Sequence, residues 1–196
     1  MSIDEINALK RAATGDAAFA DRLSFALVVR FAQLQNQSGD YESVLDEIRY
    51  LESGIPTSTK PATQFRYPPL KPFWHKHFFC PQHLIRNVGE RWNIARGSGN
   101  RDLDTMIADV AREQGHDPEL WPKLLVHRLW TEALEERSNA SRMTGHWIIF
   151  AKHEGQKYYL DLATHEEGEA GGSAEQLFKK LKLGCFWEFP FLFKHD

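Results

Sequence analysis

Beyond about residue 145, the apolar residues of this 196-residue chain stop recurring every three or four positions and begin to alternate. Helix faces repeat every 3.6 residues and strand faces every second one, so helices must precede this point and strands follow it. The chain therefore reads as α+β, with an α-helical first two-thirds followed by a small antiparallel sheet built from a hairpin, a helix and an edge strand.

The helical part divides at its breakers. Phe19, Leu23, Ala26, Leu27, Phe31 and Leu34 form one apolar face, predicting a helix over about 16–35, and a second from Asp40 buries Val44, Leu45, Ile48 and Leu51 before Gly54 ends it. Pro56, Pro61, Pro68 and Pro69 make 53–71 a linker or long loop between a helical region, 1–52, and an α+β domain, 72–196. Further helices are predicted from Pro81, over 101–114, and from Asp117-Pro118 to about Glu136, where Asp caps and Pro takes the first helical position. Glu154-Gly155 suits a two-residue turn between strands 147–151 and 158–162. Ser173 with Gln176 starts a last helix, and 185–193, with Pro190, reads as an edge strand.

Charge is unevenly distributed. Residues 60–101 carry net +7, between segments of −4 and −5, although the whole chain is −3. Such asymmetry points to an anionic partner or to ion pairs with the acidic segments of the same chain. No apolar run reaches the roughly 18 residues of a membrane span, and Cys80 and Cys185 form no dithiol motif, so the expectation is a cytoplasmic protein with no membrane partner.

Three of the nine histidines, His75, His77 and His83, fall within residues 73–83. In an extended segment His75 and His77 share one face and Trp74 and Lys76 the other; two adjacent imidazoles suit acid and base work near neutral pH. His75, His77, Cys80 and His83 are also zinc-type ligands, but their crowding around Pro81 departs from the usual structural-zinc spacings, and no metal or cofactor is assigned. In the hairpin, pairing Phe150 with Tyr159 and Ile148 with Asp161 puts Trp147, Ile149, Tyr158, Leu160 and Leu162 on a core face. Lys152, Lys157, Tyr159 and Asp161 then take a polar face, where Lys152 opposite Lys157 favours a nearby anion. There is no GxGxxG, Walker A, HExxH, GxSxG or paired CxxC.

The phrases PPLKPFWHKHFF (68–79) and TGHWIIFAKHEGQKYYLDLATHEEG (144–168) resemble a family of short proteobacterial proteins, which implies a bacterial source and no particular activity. Helices followed by a small sheet with scattered His, Lys, Tyr and Thr are similar, at the level of fold and over roughly the second half, to the barnase, EndoU, colicin-type and RelE-type ribonucleases. No residue signature of those enzymes transfers. The +7 segment, its aromatics Phe65, Tyr67, Phe73, Trp74, Phe78, Phe79 and Trp92, and the His75/His77 pair point to a metal-independent ribonuclease-like or RNA-binding protein, of the kind found as toxins or phage-linked elements. Its catalytic candidates are His75, His77 and His165, with Lys71, Lys76, Arg86, Lys157, Tyr159 and Asp161 holding the substrate. The alternative is a non-catalytic module that docks an acidic protein through 60–101.

Overall fold

A strand with apolar residues on both faces needs cover on both, and the hairpin is of this kind. The structure is a computed structural model that describes residues 1–37, 41–78, 84–93, 100–140, 146–164, 167 and 172–193. It is α+β. Helices α1 (Ile3–Thr14), α2 (Phe25–Gln37) and α3 (Tyr41–Ser53) precede strands β1 (Thr63–Gln64) and β2 (Phe73–His77). Next come α4 (Leu84–Trp92), α5 (Arg101–Gln114), α6 (Leu120–Asn139), the hairpin β3 (Trp147–His153) and β4 (Gln156–Ala163), and α7 (Gly172–Cys185). The sheet is antiparallel with order β1-β2-β3-β4. Among the described residues no helix is long and apolar enough to cross a membrane.

Each sheet face has its own core. Ile148, Phe150 and Tyr159 pack with Leu27, Phe31, Leu45 and Ile48 of α2 and α3. Trp147, Ile149, Leu160 and Phe73 pack with Leu177, Leu181 and Cys185 of α7 and with the closing 3-10 turn, Pro190–Phe193. Burial of each such side chain contributes about 1.5–3 kcal/mol, so neither face can be left open to water. The helices of 1–52 thus share a core with the sheet, and 53–71 supplies its outer strand. Helices α4 to α6, inserted between β2 and β3, gather around a third core of Val88, Trp92, Met106, Val110 and Ala133. Asp117 Oδ1 accepts from Glu119 N and Leu120 N at 2.9 Å and so turns the chain into α6, which begins at Leu120 and not at Pro118.

Three elements differ from the sequence reading. Residues 16–24 are not part of α2: Gly15, at φ 64°, and Asp16, at φ 57°, turn the chain out of α1, and a 3-10 turn over Ala20–Arg22 leads to Ser24. Ser24 Oγ accepts from Leu27 N at 3.0 Å and so starts α2. The run 185–193 is a turn and a 3-10 helix, because the exposed edge of β4 is already occupied. Arg22 Nη1 donates to Lys157 O at 2.7 Å, Ser24 N to Tyr159 O at 2.8 Å, and Ser24 Oγ to Leu160 O. The hairpin register is as read from His153/Gln156 to Phe150/Tyr159, but Ile149 then pairs with Asp161, leaving Leu160 as an extra residue. This bulge moves Leu162 to the α2 side, opposite Leu160.

The hairpin turn gives a direct test. Glu154 at φ 49° and Gly155 at φ 77° both sit in left-handed backbone, which Gly adopts freely and Glu does not. Glu154→Asn should stabilise the protein by about 0.5–1 kcal/mol, read as a higher urea midpoint with unchanged m. An unchanged or lower midpoint would contradict this account of the turn.

Candidate functional site

A cleft of about 540 Å³ lies beside β1 on the α7 face of the sheet. The strand alternation that sends Lys76 towards α3 sends His75 the other way, where its ring lies 4.6 Å from that of Trp147 and 4.7 Å from that of Phe65. These three rings form the floor, Trp147 buried and His75 and Phe65 half-buried. One wall is the turn from β1 to β2, with Arg66 and Tyr67, and the other is the first turn of α7, with Ala174 and Glu175. Phe65 N donates to Phe73 O at 3.1 Å, Phe73 N to Leu70 O at 2.8 Å, and Gln64 Nε2 to Lys71 O at 2.9 Å, so backbone and side-chain bonds both fix the turn. Tyr67 is 69% exposed although it is a large aromatic. Arg66 beside it is exposed, as are Lys60 and Lys71 of the same segment, and the chain has no acidic residue between Glu52 and Glu90. The cleft can therefore accept a flat ring over its floor and an anion at its β1 rim.

The residues singled out from sequence do not converge here. His75 lines the cleft, and Lys71 stands at its edge through the Gln64 bond. His77 is beside His75, with ring centroids 5.9 Å apart, but is only 4% exposed. It does not line the cleft. His165 lies outside the described residues, as do Cys80 and His83 of the zinc-type set. Arg86 falls on α4, and its side chain is likewise outside them.

Lys76 is not a surface cation. Its ammonium is enclosed by Glu47 Oε1 at 2.9 Å, Thr57 Oγ1 at 2.8 Å, Lys60 O at 2.9 Å and Thr59 Oγ1. Burial pushes its pKa down and Glu47 opposes that shift. Tyr159 is fully buried on the opposite face from His75 and donates to Glu52 Oε1 at 2.6 Å. Burial and that bond push its phenol well above the usual range. Glu52 also pairs with Arg22: burial raises its carboxyl, but the Arg22 and Tyr159 bonds outweigh this and hold it low. These groups join α3 to the sheet, and Glu47 and Lys76 also line a cavity of about 300 Å³ beside Tyr50 and Pro56.

Lys157 and Lys152 are adjacent in register yet need no anion. Lys157 Nζ donates to Leu51 O at 2.7 Å, near the C-terminus of α3, and Lys152 Nζ sits 3.5 Å from the centroid of the Trp74 ring. The bulge turns Asp161 away from the expected polar face to lie between Arg30 Nε at 3.3 Å and Lys180 Nζ at 3.4 Å. Lys180 also pairs with Glu167 at 3.0 Å beside a second cavity of about 280 Å³. Burial raises the Glu167 carboxyl, but Thr164 N and Lys180 outweigh it and bring it below the usual range. Two cations and two carboxylates neutralise one another there. Cys185, buried and pushed up to about 12 chiefly by burial, is no nucleophile.

The +7 segment is thus only partly exposed as an anion surface. Lys76 pairs with Glu47, and Arg91 with Glu136 and with Asp102 at 3.1 Å, so the flanking acidic segments take some of its charge. Arg66 and Glu175 were not singled out from sequence. Only the lack of acids around Arg66-Tyr67 hinted at the first, and nothing local marks the second. Comparisons with protein-family models, curated proteins and solved structures return no match.

The Lys76 cage predicts a specific mutational pattern. Lys76→Met leaves the Glu47 carboxylate buried without its cation, and should cost about 3–5 kcal/mol in urea unfolding. Lys76→Met with Glu47→Leu should recover most of that loss. A double variant as unstable as the single one would show that the ammonium serves as more than the carboxylate's partner.

Proposed function

We propose that this protein binds single-stranded RNA in the cleft beside β1, and that it acts by binding and not by cleavage. The observation that carries this reading is the floor of three rings, His75, Trp147 and Phe65, next to an exposed Tyr67 and to Arg66, with Glu175 on the α7 wall. Unpaired bases stack on such planes, at about 1–3 kcal/mol per base, and phosphates settle against Arg and Lys. Cleavage would need an acid, a base and an electropositive group at one reacting centre. His75 alone of the two neighbouring imidazoles lines the cleft, while Tyr159 and Asp161 are engaged elsewhere.

Fluorescence anisotropy with a labelled RNA octamer provides the test. Tyr67→Ala should weaken binding by about 1 kcal/mol or more, and Arg66→Gln should weaken it and lower the slope of log K against log salt by roughly 0.7. Absence of binding, or both variants binding like the parent protein, would refute the reading. A loss with Arg66→Gln and none with Tyr67→Ala would favour an acidic protein partner, since a peptide carboxylate needs the charge and not the ring.

A further inference from the structure

The cleft has a chemical asymmetry that bears on which base it holds. Arg66 stands on the β1 side, and on the α7 side the functional group is the Glu175 carboxylate, whose oxygens accept hydrogen bonds. On the same wall as Arg66, Thr63 donates its hydroxyl hydrogen to Pro61 O at 3.2 Å and Gln64 Nε2 donates to Lys71 O at 2.9 Å.

Resting on the RNA-binding reading above, we infer that Glu175 selects bases carrying an exocyclic amine and disfavours uracil. A strand that places its phosphates against Arg66 and Lys71 must keep them away from Glu175, because like charges repel across a cleft of this size. Its base edge then faces α7. Cytosine presents an N4 amine to the carboxylate, whereas uracil presents a carbonyl oxygen at that position and meets acceptor with acceptor. Adenine and guanine also carry amines, but purines stack more extensively, so a purine preference alone would not report on Glu175. Cytosine and uracil have nearly the same ring and differ at this edge.

The experiment compares the affinities of labelled rC8 and rU8 by anisotropy at one salt concentration. The parent protein should bind rC8 about tenfold more tightly than rU8, the range expected for a directed base-edge contact. Glu175→Gln, a conservative change at an exposed helical position, should shrink that ratio towards one, since the amide can donate to the uracil carbonyl as well as accept from the cytosine amine. Equal affinities in the parent protein, or a ratio unchanged by Glu175→Gln, would overturn the selectivity and leave the binding reading standing. Failure of both strands to bind would overturn the two together.

Discussion

The bulge at Leu160 and its closure by Ser24 hold this architecture together. Ser24 is fully buried and serves two elements at once, capping the start of α2 and donating from N and Oγ to consecutive carbonyls of β4. A bulged strand has carbonyls that the ladder cannot use, and a buried carbonyl without a donor costs about 1–3 kcal/mol. The chain satisfies them from residues 22–24 and, more weakly, from Cys185 Sγ at 3.4 Å. One edge of the sheet is therefore covered by the element that also begins the helical layer. The other edge is left to a two-residue strand between prolines, which is too short to recruit further strands.

The same bulge determines which polar groups are structural. By inserting one residue it sends Leu160 towards α7 and Leu162 towards α2, and puts Asp161 between two cations from those helices. Tyr159, just before it, is fixed to Glu52 and through it to Arg22. What looks in the sequence like a reactive row of Lys, Tyr and Asp is thus a set of fasteners between the sheet and its covering helices. Each bond is directed and desolvated, which holds the layers in register more firmly than apolar packing alone.

With both faces covered, the cleft opens where the cover is incomplete, beside β1, where α7 begins and the proline-rich turn arches out. A short edge strand leaves Trp147 and His75 under a gap that a longer one would have filled. The cleft follows from the same economy that protects the sheet edge, and its cationic rim follows from the lack of acids in the segment that forms the arch.

Periodicity, capping and turn chemistry made the helices, the β3-β4 hairpin and the α+β class legible in the sequence, because those signals act between residues a few positions apart. Asp117 leads the chain into α6, and Glu154-Gly155 turns the chain where two such residues can. The pairing of His75 with Trp147, the cage around Lys76 and the bulge at Leu160 are not local. Each depends on a partner some 17 to 136 positions away in the chain, as in Lys76 with Thr59 and Ser24 with Leu160. A histidine, a lysine or a tyrosine carries the same chemistry in the sequence whether it meets solvent or a buried carboxylate. Only tertiary structure decided which it met, because desolvation and charge pairing are properties of the neighbours that the fold brings together, and not of the residue itself.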